Sequence, residues 1–266
     1  MSKDSQIPVA VVTGGASGIG AACCATLARQ RWQVVVADID EARGREVAAE
    51  IGGQFVRMDV GDEAQVDAAA EQIFAEIGEV RGVITSAGVI QAPSAPEEMS
   101  MQEWDRVVRI DQRGTYVTCL SFGRRMAARG NGGSIVNIAS IAGSRSMPLP
   151  AYVPAKAAVI SMSANFAVAW GGSGLRVNSL SPGYTLTPGL EHEIDAGRRD
   201  VSRLTDNAAM GRLVAPAEIA SAAAFLLSDA ASAITGIDLP VDCGWLAGCS
   251  WNTYGGIPAR RQNAPR

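Results

Sequence analysis

Histidine is nearly absent from the sequence, and cysteine is sparse and scattered. The 266 residues include one histidine, His192, and five cysteines, of which Cys23 and Cys24 are adjacent. An odd, dispersed set of cysteines argues against a disulfide framework. Zinc sites need His and Cys ligands at a characteristic spacing, which this chain lacks. The sequence therefore predicts chemistry without a bound metal.

An excess of positive charge is also missing. The formal net charge is −4, and no cluster of basic residues is interleaved with aromatic ones, so nucleic-acid binding is not expected. The uncharged run 5–28 contains Pro8 and four glycines, which argue against a membrane span. The opening residues MSKDSQIP lack the basic region of a signal peptide. A cytoplasmic protein without membrane contact is expected.

Short apolar segments alternate with longer amphipathic ones along most of the chain. Their apolar, β-branched centres are typical of strands buried on both faces. Regular alternation with helices predicts a parallel, doubly wound α/β sheet of about seven strands, and the length suits one domain over 1–266. The predicted strands are 9–13, 33–38, 54–59, 82–88, 134–140, 176–183 and 236–242, and predicted helices include 63–77, 101–129, 152–170 and 216–227.

Two segments depart from this alternation. Residues 186–210 are polar and poorly periodic and follow the sixth predicted strand, where a doubly wound sheet opens its ligand crevice. They are interpreted as a lid over substrate or as a disordered loop. The tail 245–266 is rich in Gly, Pro and Arg but carries Trp251 and Tyr254. We expect the tail to pack on the body of the protein or on a neighbouring subunit.

The first strand is followed by the glycine-rich sequence TGGASGIG, residues 13–20. A strand, a glycine turn and a helix N-terminus form an anion site, because backbone N–H groups and the helix dipole both favour a pyrophosphate. Asp38 ends the second strand 18 residues after Gly20. An acid at this position accepts hydrogen bonds from the adenosine ribose and repels a 2′-phosphate. No cation follows at Ile39 or Asp40, so the sequence predicts NAD rather than NADP.

Five motifs together resemble the short-chain dehydrogenase/reductase family. They are TGGASGIG (13–20), SAG (86–88), NIAS (137–140), YVPAK (152–156) and SPGYTLT (181–187). The glycine motif and the Tyr-x-x-x-Lys motif are weak alone, but this order and spacing across about residues 9–244 are highly specific. The resemblance implies a Rossmann-type domain, a nicotinamide cofactor, hydride transfer between an alcohol and a ketone, and a homotetramer.

The resemblance also assigns catalytic roles. Tyr152 would be the acid/base, and Ser140 would hydrogen-bond the substrate oxygen. A free tyrosine is mostly protonated at neutral pH, so the cationic Lys156, one helical turn along, would make the phenol more acidic and would bind the nicotinamide ribose. The family commonly has an asparagine that holds a relay water at the position of Asp111. The carboxylate here is either a member of that proton relay or a tolerated substitute without a special role.

Cofactor contacts follow from the same resemblance. Asp59 and Val60 match an adenine-binding pair, and Ser86 stands where the family has an asparagine that braces the sheet, which leaves local rigidity in question. The complete set of expected cofactor contacts is Gly14, Ser17, Gly18, Ile19, Gly20, Asp38, Asp59, Val60, Ser86, Ala87, Gly88, Tyr152, Lys156, Pro182, Gly183, Thr185 and Thr187.

The substrate is left open by the sequence. The main hypothesis is an NAD-dependent secondary alcohol dehydrogenase; the alternatives are a reductase of 3-oxoacyl thioesters or of cyclic or steroid-like ketones, and a catalytically silent NAD-binding protein. The pocket is expected to draw on 91–95, 142–147, Tyr184 and 186–210. Arginines at 145, 198, 199 and 203 would favour a sugar, polyol or sugar acid if two of them face it. Met147, Leu149 and Trp251 would instead favour a cyclic alcohol.

Overall fold

Seven parallel strands form one sheet in the computed structural model, which describes residues 7–258. The order across the sheet is β3-β2-β1-β4-β5-β6-β7. This confirms the predicted doubly wound α/β architecture. The strands are β1 (Val9–Thr13), β2 (Gln33–Asp38), β3 (Gln54–Arg57), β4 (Val80–Thr85), β5 (Gly133–Ile138), β6 (Leu175–Pro182) and β7 (Asp238–Val241).

Helices cover both faces of the sheet. The α-helices are α1 (Gly18–Arg29), α2 (Glu41–Ile51), α3 (Glu63–Gln72), α4 (Met101–Val107), α5 (Thr115–Arg129), α6 (Tyr152–Gly171), α7 (Pro188–Asp195), α8 (Val201–Thr205), α9 (Pro216–Leu227) and α10 (Trp245–Gly248). Two π-helical segments, Ile73–Ile77 and Val108–Gly114, follow α3 and α4, and single 3-10 turns lie at Pro96–Glu98, Ile141–Ser144, Asp229–Ala231 and Trp251–Tyr254.

The alternation of side chains along each strand divides the core into two layers. Val9 and Val11 of β1 pack in the layer under α3, α5 and α6. Ala10 and Val12, which point to the other face, pack in the layer under α1, α2 and α9. Both sets are essentially inaccessible to solvent. This two-sided burial explains why the strands read as continuous apolar runs rather than alternating ones.

The strand order changes direction between β1 and β4, and this switch point positions the candidate site. Thr13 at the end of β1 pairs with Ala37 on β2 and with Thr85 on β4, so the three strands end at one level. The loops that leave their carboxyl ends separate to opposite faces of the sheet. In an open parallel sheet this separation creates the crevice in which ligands bind.

Several predicted boundaries were wrong in the same way. The third to seventh predicted strands ran into the loops that follow, because Asp59, Gly88, Ser140, Gly183 and Asp242 all lie beyond the last paired residue. The polar or glycine ends at Asp59, Gly88, Ser140 and Gly183 leave the ladder and line the crevice. The predicted helix 101–129 is interrupted by the π-helical segment Val108–Gly114, which the apolar periodicity did not reveal.

The interpretation of 186–210 as a disordered loop was wrong for most of its length. Thr187 accepts a hydrogen bond from Leu190 N–H at 3.4 Å and Pro188 occupies the first position of α7, which are helix-starting features. Asp200 caps α8 in the same way. The tail forms α10 and a 3-10 turn up to Tyr254; residues 259–266 lie outside the described residues. Within 7–258, no helix combines the length and the apolar character needed to cross a bilayer.

Candidate active site

One cavity of about 990 Å³ runs along the carboxyl ends of the strands. Its wall contains every residue that the sequence motifs predicted for the site. The predicted catalytic group Asp111, Ser140, Tyr152 and Lys156 and the predicted cofactor contacts Gly14, Ser17, Gly18, Ile19, Gly20, Asp38, Asp59, Val60, Ser86, Ala87, Gly88, Pro182, Gly183, Thr185 and Thr187 all line it.

The glycine turn between β1 and α1 has no space for side chains at two positions. Gly14 has a positive φ of 65°, and a Cβ built there would lie 2.7 Å from the backbone nitrogen of Ala87. A Cβ at Gly20 would lie 2.0 Å from the carbonyl oxygen of Gly14. Gly18 also has a positive φ, of 53°. The turn is therefore folded tightly enough to present backbone rather than side chains to the cavity.

Asp38 is fixed at the mouth of this turn. One oxygen of its carboxylate accepts a hydrogen bond from Ala16 N–H at 2.9 Å, and the other accepts one from Asp40 N–H at 3.0 Å. The next side chain, Ile39, is 59% exposed and also lines the cavity. The carboxylate thus has a defined orientation, and no cation is adjacent to it in sequence.

The segment Ser86–Gly88 is braced by Thr13, a residue that the sequence analysis did not single out. The Thr13 hydroxyl accepts hydrogen bonds from Ser86 N–H at 3.1 Å and Ala87 N–H at 3.2 Å. Ser86 N–H also lies 3.2 Å from the Thr13 carbonyl. These main-chain bonds hold the segment next to the glycine turn without the asparagine side chain. The hydrogen bonds to Thr13 therefore hold this segment although Ser86 stands where the family has an asparagine.

Tyr152 and Lys156 lie at the start of α6 and face the cavity together. Lys156 is 4% exposed, and its Nζ donates to the Ile138 carbonyl at 3.1 Å and lies 5.4 Å from the centre of the Tyr152 ring. Ser140 follows β5, and its Oγ accepts a hydrogen bond from Ala142 N–H at 3.1 Å, which leaves its own hydrogen free to donate. Pro154 is tolerated in the first turn of α6 because its missing N–H would have no helical partner there.

Asp111 forms a buried ion pair with Lys156. It has no solvent exposure; its Oδ1 accepts from Val89 N–H at 2.8 Å, and its Oδ2 lies 3.2 Å from Lys156 Nζ without an aligned hydrogen bond to any described residue. Burial is the largest influence on the pKa of Lys156 and lowers it, but the charges of Asp111 and Tyr152 outweigh it, so this pKa is raised. The ion pair with Asp111 thus favours the protonated form of Lys156.

The π-helical turn accounts for the position of Asp111. A π-turn inserts one extra residue per turn and redirects the side chains that follow, which is common at functional sites. In this chain the segment Val108–Gly114 directs Asp111 inward. Gly114, at its end, packs against Val60, since a Cβ there would lie 2.9 Å from a Val60 methyl carbon. Both features depend on tertiary packing and have no periodic signature.

Gln91 has a role that its sequence context did not indicate. It is 4% exposed, and its Oε1 accepts a hydrogen bond from the backbone N–H of Tyr152 at 3.1 Å. The only sequence signal for this bond is a single polar residue between Val89–Ile90 and Ala92–Pro93. The contact ties the loop after β4 to the first residue of α6, so the loop that lines the cavity also positions the helix that carries Tyr152.

The substrate end of the cavity has a mixed wall. Of the predicted segment 91–95, three residues reach the cavity, and Met147 and Tyr184 also line it. Among the four arginines considered, only Arg199 does so, and Trp251 does not. Leu190 and Glu193 line the cavity from the predicted segment 186–210, and Ile90, Ile141 and Pro148, which the sequence did not indicate, line it as well. The end is neither the pocket with several arginines nor the fully apolar pocket that the sequence leaves open.

Residues 7–258 contain no group of three or more His, Cys, Asp or Glu side chains arranged to hold a metal ion. The glycine cradle, the oriented Asp38 and the buried cation beside Tyr152 instead fit a dinucleotide. The tight turn gives backbone N–H groups for a pyrophosphate, and the acid lies where a ribose is expected.

The family of the chain follows from comparison with known proteins. Residues 14–246 match the family model described as enoyl-(acyl carrier protein) reductase. With the fold and the relatives below, the chain belongs to the short-chain dehydrogenase/reductase family, whose members bind nicotinamide cofactors. This confirms the resemblance read from the motifs.

Two related dehydrogenases are similar to this chain along most of its length. The chain is 40% identical to D-threitol dehydrogenase of Mycolicibacterium smegmatis, over 89% of this chain and 92% of the relative. It is 38% identical to cis-4-hydroxycyclohexanecarboxylate dehydrogenase of Sinomonas cyclohexanicum, over 90% and 96%. These relatives support an oxidoreductase that acts on CH–OH groups.

The first solved structure, described as ribose-5-phosphate isomerase from Brucella melitensis 16M, is 49% identical, with a TM-score of 0.92 over 95% of this chain and 98% of that one. The second is a putative 2-deoxy-D-gluconate 3-dehydrogenase from Agrobacterium tumefaciens with bound NADP, 30% identical, with a TM-score of 0.81 over 90% and 96%. Both share the fold of the present chain.

Proposed function

We propose that this protein interconverts a secondary alcohol and its ketone with NAD, and that Tyr152 is the acid/base. The observation that carries the proposal is the placement of Ser140, Tyr152 and a buried cationic Lys156 in one cavity with the glycine turn. Alcohol oxidation requires the loss of a proton from oxygen and of a hydride from carbon. A base must therefore lie beside the hydride acceptor. This cavity contains Tyr152 as the candidate base and the glycine turn as the candidate cofactor site.

In the oxidation, the substrate hydroxyl gives its proton to the phenolate oxygen of Tyr152 while its oxygen accepts a hydrogen bond from Ser140. The nicotinamide, when bound, supplies the acceptor for the hydride that leaves the carbon. The positive charge of Lys156, buried and 5.4 Å from the ring centre, stabilises the phenolate. Asp111 and the Ile138 carbonyl hold the ammonium group in place, so Lys156 cannot turn away from the ring into solvent.

The preference for NAD rests on Asp38. Its carboxylate is held by Ala16 and Asp40, and Ile39 offers no positive charge. A 2′-phosphate placed against a fixed carboxylate without a compensating cation is strongly disfavoured. The NADP-bound structural relative shows that this fold also accepts the phosphorylated cofactor, so the discrimination has to come from residues such as Asp38.

The substrate class we propose is a polyol, sugar or cyclic alcohol, including their acids. The relatives named for D-threitol and for a hydroxycyclohexane carboxylic acid support both branches. The wall of the cavity suits either branch, because Met147 and Leu149 are apolar whereas Tyr184, Glu193 and Arg199 are polar or charged.

The test is a spectrophotometric screen with NAD and with NADP against D-threitol, other polyols, sugar acids and cyclic alcohols. We expect NADH formation with at least one of these classes. Oxidation of none of them, together with reduction of 3-oxoacyl or enoyl thioesters, would replace the proposal with the thioester reductase that the family description suggests. Conversion of ribose 5-phosphate without any nicotinamide would favour the isomerase named for the structural relative, and cofactor binding without turnover would favour a silent NAD-binding protein.

We also propose that the protein is a single-domain homotetramer in which residues 186–210 cover the substrate and the tail contributes to assembly or to the pocket. Exposed aromatic residues support association: Tyr254 is 88% exposed and Trp251 is 50% exposed, a pattern that suits an interface. Removal of residues 251–266 should weaken the oligomer or the substrate affinity. Light scattering and kinetics identical to those of the full chain would contradict this.

A further inference from the structure

The charged residues at the substrate end of the cavity are not equally neutralised. Glu193 and Arg199 both line the cavity and lie close in sequence. Glu193 is held by Arg198 through two hydrogen bonds of 2.9 and 2.8 Å, which lower its pKa, and the charge of Arg199 lowers it slightly further. The side chain of Arg199 makes no hydrogen bond or ion pair with any of residues 7–258. Arg198 and Arg199 together outnumber Glu193, so the net charge of this group is positive.

The backbone of Arg199 is held in place by the end of α7. Its backbone N–H donates to the Glu193 carbonyl at 3.2 Å, and that of Arg198 donates to the same oxygen at 2.9 Å. Gly197, with a φ of 69°, forms the left-handed turn that ends α7. The guanidinium therefore extends from a helix end rather than from a free loop, and Arg199 is only partly exposed.

The other arginines near the pocket do not share this arrangement. Arg203 has a side chain that is 85% exposed and lies near Asp200, and Arg145 is exposed and donates to the Ser144 carbonyl. Neither lines the cavity. Arg199 is the only arginine of the described residues in the wall that also contains Ser140 and Tyr152.

Apolar side chains also line this cavity. Ile90, Pro93, Met147 and Leu149 are among them. A ligand that fills this space needs a hydrocarbon face toward these side chains, a hydroxyl at Ser140 and Tyr152, and a negative group toward Arg199. A guanidinium matches planar or tetrahedral oxyanions through paired hydrogen bonds.

We infer that Arg199 is an anion-binding residue of the substrate pocket and that the substrate is a secondary alcohol carrying a carboxylate or a phosphate. This inference rests on the proposed dehydrogenase function and adds to it the charge of the substrate. Carboxylate and phosphate share the chemistry that Arg199 recognises, and matched substrates separate them.

The experiment compares charged and neutral substrates of one shape. The carboxylate pair is 4-hydroxycyclohexanecarboxylate and its carboxamide, and the phosphate pair is ribitol 5-phosphate and ribitol. Each is measured as kcat/KM for the wild type, for Arg199→Gln, and for Arg203→Gln as the matched control. We expect the wild type to favour the charged member of at least one pair by about 10- to 100-fold, since a hydrogen bond to a charged group is worth this much.

In Arg199→Gln that ratio should fall toward one, mainly through KM, whereas Arg203→Gln should keep it. Added salt should reduce the wild-type ratio, because a partly exposed charge contact is screened. Equal efficiency with charged and neutral members, or an unchanged ratio in Arg199→Gln, would overturn the inference and leave the dehydrogenase proposal intact. Failure to oxidise any member, or any other secondary alcohol, would instead count against the proposed function itself.

Discussion

The two ends of the cavity are built in different ways. The nucleotide end consists of strand ends and main chain: Gly14 packs on Ala87, and Thr13 binds Ser86 and Ala87 through hydrogen bonds to their N–H groups. The substrate end consists of side chains from the loops after β4, β5 and β6, from α7 and from the turn that follows α7. One end is fixed by the sheet, whereas the other depends on how separate loops pack together.

This difference explains why the sequence predicts the nucleotide end better than the substrate end. Backbone geometry that only glycine allows leaves a short, ordered motif. A pocket wall made of Met147, Glu193 and Arg199 needs only suitable size and charge at places that are far apart in the chain. The class of cofactor can therefore be predicted from the sequence directly. The class of substrate can be inferred only once the folded structure shows which side chains meet.

The largest effect is expected at the point where the two ends meet. Tyr152→Phe removes one hydroxyl and should lower kcat by about 10³-fold or more, since it removes the proposed acid/base. NADH binding, measured by fluorescence titration, and the melting temperature should stay close to wild type. Tyr116→Phe is the matched control, because Tyr116 is 45% exposed and lies outside the cavity wall. Turnover within tenfold of wild type in Tyr152→Phe would require another base.

The nucleotide end should be sensitive to a single methyl group. In Gly14→Ala, the added Cβ would lie 2.7 Å from the Ala87 backbone at a φ of 65°, and we expect NAD affinity to fall at least about tenfold. Gly52→Ala is the control, because Gly52 has the same φ but nothing within 4 Å. Calorimetric Kd values and melting temperatures for both variants separate the clash from the backbone strain. Equal NAD affinity in the two variants would show that the turn is not the cofactor cradle.

The preference for NAD over NADP should depend on the carboxylate of Asp38. We expect the wild type to prefer NAD over NADP by more than about tenfold in kcat/KM. Asp38→Ala should reduce this ratio, and Asp38→Ala combined with Ile39→Arg should shift it toward NADP. Asp40→Ala serves as the control, because Asp40 accepts from Arg43 N–H at the start of α2 and does not line the cavity. Equal efficiency of the wild type with both cofactors would refute the assignment to Asp38.

The smallest expected effect concerns Asp111. Its carboxylate, 3.2 Å from Lys156 Nζ, partly cancels the positive charge that lies near the Tyr152 ring, so oxidation by the wild type should be best at alkaline pH. Asp111→Asn should move the rising limb of the pH–rate profile for oxidation to lower pH by roughly half a unit to one unit, with Asp105→Asn as an exposed control.

The direction in which the limb of the pH–rate profile moves distinguishes two effects of Asp111. Burial alone lowers the pKa of Lys156, and Asp111 raises it. Loss of the carboxylate therefore also makes Lys156 easier to deprotonate. A shift of the limb to higher pH would show that the main action of Asp111 is to keep Lys156 charged. An unchanged limb would show that Asp111 takes no part in the proton relay and serves only to anchor Val89.

Much of the fold could be predicted because each strand carries its own signal. Strands β1 and β2 were predicted at their observed bounds, since their central residues are buried on both faces and are therefore uniformly apolar. Strand ends were predicted less well, because polar residues such as Ser140 leave the ladder only to reach the crevice. The π-turn around Asp111 was missed because its geometry depends on packing against Val60 and α6 rather than on periodicity.

The sequence by itself determined the order of strands and helices, the glycine turn and the spacing of Tyr152 and Lys156, since each is a local constraint on a few neighbouring residues. The tertiary structure decided which distant side chains meet. It brought Asp111 into direct contact with Lys156 and joined Gln91 by a hydrogen bond to the first residue of α6. It also placed Arg199, but not Arg145, Arg198 or Arg203, in the wall of the cavity. Such contacts depend on the summed packing of loops and helices far apart in the chain, so no short stretch of sequence encodes them.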